Sequence, residues 1–312
     1  LSILVVGSVG LDDVETPFGK VTAALGGSAV YFSTAASLYD TVNLVGVVGS
    51  DFPQHHIDFL RSRYVDLAGL QTVEGRTFHW AGRYDFDLNT AHTLDTQLGV
   101  FADFHPHLPE SYRHAEFVFL ANIAPTLQAE VARQIVKPKL IAIDTMNYWI
   151  SSQQEALTDA LSLAHVVLLN EAELRQYAGD YSLVRAARKV LALGPQAIIV
   201  KKGEYGAALF YKSDHSLSQY FFTPAYPLEQ VVDPTGAGDT FAAGFVGYLA
   251  KHNDTSLEAL KRAIVHGSVV ASFTVEDFSI GRLKTLTQDE IKARYTELQH
   301  FTHFEPLREN KG

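Results

Sequence analysis

Six short apolar runs limit the fold of this chain more than any other feature. They are ILVV at 3–6, VNLVGVV at 42–48, FVFLA at 117–121, LIAID at 140–144, HVVLLN at 165–170 and AIIVKK at 197–202. Most do not alternate and are rich in β-branched residues, so they read as strands buried on both faces. Helix-like segments stand among them at about 28–39, 127–137, 153–164, 171–178 and 182–193. Alternation of the two predicts a mostly parallel sheet covered on both sides by helices. A chain of 312 residues with 47% hydrophobic content can bury such a core. The C-terminal part turns helical, and Thr255 with Glu258 and Thr287 with Glu290 have capping-box spacing.

Two stretches break the pattern. Residues 12–25 and about 72–104 are richer in Thr, Asp, Gly and aromatics, and RTFHWAGRYDF within the second alternates apolar and polar residues. That suits a small, half-exposed antiparallel sheet, and both stretches would form one excursion serving as a lid. Two unrelated surface loops are the alternative. An exposed edge of such a sheet would let two copies of the chain pair as a homodimer.

Charge and composition exclude several functions. The formal net charge is −10 and no Lys/Arg run makes a basic patch, which argues against nucleic acid or an anionic membrane as partner. Cysteine is absent, which removes disulfides, thiolate nucleophiles and Cys-ligated metals. With no apolar run of membrane-spanning length and no signal peptide, a cytoplasmic protein is expected. The 13 histidines include His55–His56 and the pair His105 and His107, but no H-E-x-x-H, and surface or core roles are their default reading.

The most informative stretch is VVDPTGAGDTFAAGF at 231–245. Apolar periodicity starts right after Gly236 and Gly238, at Phe241, Phe245, Tyr248 and Leu249, so the glycines lie at a helix N-terminus, where free N–H groups favour an anion. The loop is neither a Walker A sequence nor a Rossmann fingerprint. Asp239 inside the cradle would repel a phosphate that merely rests there. It makes sense if the phosphoryl group is in transit and Asp239 takes a proton from an attacking alcohol. An ordinary first-turn acidic residue is the alternative. Asp233 precedes the cradle and would hold a cation or fix the loop.

DPTGAGDTFAAGF resembles the C-terminal signature of the ribokinase/PfkB family of sugar and nucleoside kinases. GGSAVYFSTAAS at 26–37, NEAELRQYAG at 170–179 and KKGEYGA at 201–207 resemble that family's Gly-Gly motif, Asn-x-x-Glu motif and nucleotide loop, in the same order. The resemblance covers nearly the whole chain. It implies one ribokinase-like kinase domain over 1–312, a three-layer α/β/α sandwich with a mostly parallel central sheet and a small β-sheet lid from segments 12–25 and 72–104. It implies transfer of the γ-phosphoryl of MgATP to a primary hydroxyl of a sugar or sugar-like substrate, with a nucleoside or inositol as the alternative acceptor.

Residue by residue, the resemblance makes Asp239 the base and Gly236, Ala237 and Gly238 the anion hole. Asp12, Gly27 and Tyr31 would meet the acceptor. Asn170, Lys201, Gly203, Gly206 and Thr235 would meet ATP. Glu173 would hold Mg²⁺ through water, and Asp233 would organise the loop, with a monovalent cation such as K⁺ as a further ligand. The family's usual amide side chain is replaced by Gly10, and Ser28 and Tyr31 stand where Lys and Asn are frequent, so ribose itself fits poorly. Tyr31, Phe78, Trp80, Tyr84 and Phe86 would stack on a base or sugar face, or else pack in the core and on one another. Asp144 and Asn147 end a strand near the expected phosphates, Lys201 and Lys202 meet a phosphate or solvent, and Arg76 or Arg83 would reach in from the lid. Two readings from other classes remain: a non-catalytic sugar or nucleotide sensor and a dinucleotide-dependent oxidoreductase.

Overall fold

A computed structural model of the chain describes residues 2–212 and 219–305. Among the described residues the strands are β1 Ser2–Val6, β2 Gly10–Thr16, β3 Gly19–Gly26, β4 Thr41–Gly49, β5 Val65–Val73, β6 Phe78–Tyr84, β7 Ala91–Gln97, β8 Phe117–Leu120, β9 Leu140–Asp144, β10 Val166–Asn170, β11 Ala197–Lys201, β12 Ala207–Tyr211 and β13 Gln219–Thr223. The helices are α1 Ser28–Ala36, α2 Gln54–Ser62, α3 Pro125–Gln134, α4 Asn147–Ser152, α5 Gln154–Ser162, α6 Glu171–Ala178, α7 Leu183–Leu191, α8 Ala237–His252, α9 Leu257–Thr274 and α10 Gln288–Thr302.

All six apolar runs are strands of one nine-stranded sheet, ordered β13-β12-β11-β10-β9-β8-β1-β4-β5. The pairs from β5 through β11 are parallel, while β12 runs antiparallel to both neighbours. Alternate residues feed opposite cores, as their period of two requires. Ile3 and Val5 join the core under α1, α8 and α9, and Leu4 and Val6 join the one under α3, α5 and α7. The result is the expected α/β/α layering with a mostly parallel centre.

The two pattern-breaking stretches meet in a second, four-stranded sheet ordered β3-β2-β6-β7. β2 pairs antiparallel with β3 but parallel with β6, so this sheet is mixed where alternation alone suggested an antiparallel one. Its faces differ. Gly10, Asp12 and Val14 of β2 are buried and lie beside Phe78, Trp80 and Gly82 of β6, while β7 is exposed along its whole length.

Local expectations were met unevenly. The capping box of Thr287 and Glu290 is present at the start of α10. The one expected at Thr255 is not: Ser256 caps α9, accepting from the Ala259 N–H, and Glu258 instead pairs with Lys261 at 2.7 Å. The frame is one residue later because Asp254 accepts the Ser256 N–H at 2.9 Å and fixes the turn before the helix.

Candidate active site

The carboxyl ends of the parallel strands and the start of α8 converge on one cleft. Gly236 is the N-cap of α8 with φ 76, a left-handed conformation that costs glycine little. A Cβ there would also run into the Tyr31 ring, which packs beneath the turn. The Ala237 N–H is engaged by the Pro234 carbonyl at 3.2 Å, which leaves the Gly238 N–H among the first-turn donors for an incoming anion.

Asp239 stands in that first turn. It keeps part of its surface open to the cleft, yet its carboxyl is ringed by protein. The lost hydration, reinforced by the Asp144 charge, lifts its pKa to about 7 against the pull of Lys201. This is the range of a general base working near neutrality. Asp12, buried on β2, is also lifted to about 7 by burial and the Asp233 charge, although the Gly27 N–H donates to it. The Gly-Gly pair makes room for it. A Cβ on Gly26 would collide with the Asp12 carboxylate, and Gly27, at φ 96, lies against the Ser8 backbone.

Asp233 does a different job from Asp239. It is fully buried, and its two oxygens accept the Thr235 N–H at 2.9 Å and the Ser279 N–H at 3.1 Å. It therefore ties the loop before α8 to the segment after α9, and burial raises its pKa. Thr235 Oγ1 donates to the Tyr84 hydroxyl at 3.3 Å, joining the loop to the small sheet. Tyr31 is 1% exposed and its hydroxyl has no hydrogen-bond partner among the described residues, although Asp12, Asp233, Tyr84 and Asp239 all act on it electrostatically. Ser28 is occupied structurally, exchanging hydrogen bonds with Ser8.

On the other side of the Gly236–Gly238 loop lies a cavity of about 530 Å³. Lys201, Gly203, Gly206, Ala237 and Gly238 line one end, and Tyr226, Pro227, Leu228, Val231, Ala271 and Val275 form an apolar end. Lys201 is not a solvated strand-end charge. Its ammonium pairs with Asp144 at 2.5 Å and sits 3.2 Å from where a Cβ on Gly238 would stand. Burial alone would lower its pKa, but Asp144 and Glu173 raise it. Lys202 lies 3.8 Å from Glu171.

Asn170 and Glu173 form a capping box at the start of α6, with Glu173 N–H to Asn170 Oδ1 at 2.8 Å and Asn170 N–H to Glu173 Oε2 at 2.7 Å. Glu173 is nevertheless lifted to about 7, by burial first, with Asp144 adding and Lys201 opposing. Asn147 is exposed at the start of α4. Among the described residues no group of three His, Cys, Asp or Glu is placed to hold a metal ion directly.

The remaining expectations divide by face. Phe78 lies over Gly10 and the Trp80 ring over Gly82, on the face that carries Asp12. Phe78 thus fills the space above Gly10. Phe86 is 85% exposed. Arg76 and Arg83 do not reach the cleft: both are exposed, Arg83 alternates to the outer face, and Arg76 lines a separate hollow with Leu11 and His79.

Two features escaped the sequence. Half of the cavity's apolar end, Tyr226, Pro227 and Leu228, comes from TPAYPLEQ, a run with no periodicity, while Ala271 and Val275 come from the end of α9. Gln128 is fully buried on α3, and its amide donates to the Ala121 and Asp144 carbonyls, both at 2.8 Å, holding two strand ends in place. Its signal was a polar residue at helical spacing on the stripe of Pro125, Ala129, Val131 and Ala132.

Comparison with known proteins agrees with this geometry. The model of the pfkB family carbohydrate kinases matches residues 5–284. The chain is 29% identical over 253 residues to the cytidine kinase of Thermococcus kodakarensis, covering 80% of this chain and 88% of that protein. The nucleoside kinase of Methanocaldococcus jannaschii, an archaeal member of the ribokinase family, superposes with a TM-score of 0.75 at 20% identity, over 95% of this chain and 98% of that one. The aminoimidazole riboside kinase of Salmonella enterica, solved with aminoimidazole riboside and an ATP analogue, gives 0.75 at 19% identity, over 95% and 100%. A dinucleotide-dependent oxidoreductase is thereby set aside, and the chain belongs to the pfkB family of carbohydrate kinases, phosphotransferases with a hydroxyl group as acceptor.

Proposed function

We propose that this kinase transfers the γ-phosphoryl group of MgATP to the primary hydroxyl of a sugar or nucleoside, with Asp239 as the general base. The observation that carries the reading is a carboxylate with a pKa near 7 in the first turn of α8, next to the Gly236–Gly238 anion loop. Asp239 takes the proton of the acceptor hydroxyl as its oxygen bonds to the γ-phosphorus. The bond from phosphorus to the β,γ-bridging oxygen breaks and ADP leaves. The loop N–H groups meet the charge that spreads over the transferred group, which a sensor without chemistry would not need.

Asp12 and Gly27 would hold the acceptor, with Tyr31 and the inner face of the small sheet around it. Lys201, Gly203 and Gly206 would hold the nucleotide, with Asn170 and Thr235 nearby. A magnesium ion would neutralise phosphate charge. Among the described residues Asp144, Glu173 and Asp239 outnumber the Lys201 cation that acts on them, so the site suits a divalent ion held through its waters by Glu173. Buried Asp233 has no basic partner among the described residues, a setting in which a neighbouring K⁺ would stabilise its charge.

In this reading the chain is one kinase domain whose small sheet acts as a lid. The bare β7 offers an edge for a second copy, which sedimentation at two concentrations would reveal. A nucleoside acceptor is favoured by a specific observation. Phe78 and Trp80 share a face with Asp12, and such rings stack on a flat base. Cytidine and other nucleosides therefore come first in the test. ADP release from MgATP is measured against nucleosides, sugars, sugar phosphates and inositols, with Asp239→Ala as the blank. Turnover with one class, lost in the variant, is the expected result. Turnover that survives the substitution would remove Asp239 from the reaction.

A further inference from the structure

The cavity read above as the nucleotide site is closed on one side by a segment that the chemistry does not use. Asp87, Leu88 and Asn89, in the turn joining β6 to β7, line it together with Gly203 and Glu204. The Asn89 carboxamide oxygen lies 3.8 Å from where a Cβ on Gly203 would stand. A hairpin whose inner face covers the acceptor end therefore carries its tip over the nucleotide end.

The tip has a defined shape. The Asp85 carboxylate meets His92 across the hairpin at 2.9 Å, and the Leu88 N–H donates to the Asp85 carbonyl at 3.0 Å. The Asp87 carboxylate accepts the Asn89 N–H at 3.2 Å, so part of its charge is already engaged. One step back along the same hairpin, Tyr84 meets Thr235 of the anion loop. The tip thus offers an uncharged carboxamide toward a region that would hold a polyanion, with Leu88 beside it.

We propose that the 87–89 turn belongs to the nucleotide site. The Asn89 carboxamide hydrogen-bonds the ribose–phosphate part of ATP, and Leu88 packs against it. Closure of the small sheet is thereby linked to nucleotide occupancy, and by linkage each of the two substrates favours binding of the other. The proposal rests on the reading of this cavity as the ATP site, and the test separates the two.

Calorimetry with a non-hydrolysable ATP analogue and Mg²⁺ is run on the full chain, on Asn89→Ala, on Asn89→Asp and on Leu94→Ser, a control on bare β7. One lost hydrogen bond weakens Asn89→Ala by roughly 3–10-fold. Asn89→Asp, which sets a carboxylate against phosphate, weakens it further, and Leu94→Ser matches the parent. Melting temperatures without nucleotide stay together, since Asn89 is exposed and supports no core. Hydrogen exchange supplies a second readout: the analogue alone, with no acceptor, slows exchange in residues 84–89. Equal affinity for parent and both Asn89 variants, or an unprotected hairpin, overturns the proposal and leaves the kinase reading standing. A parent chain that does not bind the analogue overturns both.

Discussion

The large sheet and the small sheet are built by opposite rules. Ile3, Leu4, Val5 and Val6 of β1 are all 0% exposed, buried between two helix layers. β7 has no buried residue at all, and β2 buries only every second one. The groups that need fixed geometry sit at the ends of the first structure: Asp144 on β9, Lys201 on β11 and Asp239 on α8. The groups that would choose an acceptor, Asp12, Phe78 and Trp80, sit on the second. A parallel sheet covered on both faces cannot shift one strand without opening its core. A half-bare sheet has little to lose by tilting. In the proposed reading, chemistry then falls to the rigid part and selection to the compliant part, and the predictions test that division.

The largest effect belongs to the rigid part. Asp239→Asn should lower turnover by about 10²–10⁴ while ATP affinity is largely kept. In the parent, kcat/KM should fall tenfold per pH unit below about 7, where Asp239 protonates. The same substitution should stabilise the fold. A carboxyl raised from 3.8 to about 7 in the folded state contributes stability that is fully present below pH 3.8 and lost as pH rises toward 7. The Asn variant escapes that loss. Its gain in melting temperature over the parent should therefore grow between about pH 4 and 7 and be flat above. A gain independent of pH would show that Asp239 is not held protonated by its surroundings.

Next comes Lys201→Met, which leaves the buried Asp144 carboxylate without its partner. Breaking such a pair costs roughly 3–5 kcal/mol, so the melting temperature should drop by several degrees. Adding Asp144→Asn should recover most of it, because the penalty lies in the unpaired charge. Failure of the double variant to recover would mean that Lys201 is held by packing instead. No single substitution in the small sheet should cost as much.

This division also explains what could be read from sequence. The strands of the large sheet were legible because burial on both faces writes an uninterrupted apolar run. LIAID and Leu140–Asp144 coincide. β5 and β13 were missed, since they lie at the sheet margins and carry too many exposed positions for that signal, whereas β12 was missed although AALF is such a run, because it follows directly on the motif KKGEYGA. The helix start at Gly236–Gly238 and the first-turn place of Asp239 were legible because apolar periodicity begins right after the glycines. Pairings across the fold were not. Nothing local in KKGEYGA indicates that Lys201 meets Asp144, 57 residues earlier, and nothing local in RTFHWAGRYDF indicates that Tyr84 meets Thr235, 151 residues later. The outward turn of Arg83 followed from strand alternation and was readable once the register with β2 was known.

The smallest effects form a matched pair, one from each region. Tyr84→Phe removes a hydroxyl at 3.3 Å from Thr235 Oγ1, where the small sheet touches the anion loop. A single such bond is worth about 1 kcal/mol, so kcat/KM should fall by roughly 3–10-fold if that contact forms in the closed state. The melting temperature should not move, because the small sheet adds little to the core. Ser256→Ala removes the cap of α9, which accepts the Ala259 N–H at 3.3 Å far from the cleft. It should cost about 1 kcal/mol of stability and leave the kinetics as they were. Two changes of nearly equal energy would then give opposite signatures, one in rate and one in melting. Should Tyr84→Phe lower the melting temperature as Ser256→Ala does, the small sheet would be part of the rigid body, and closure over the acceptor would need another hinge.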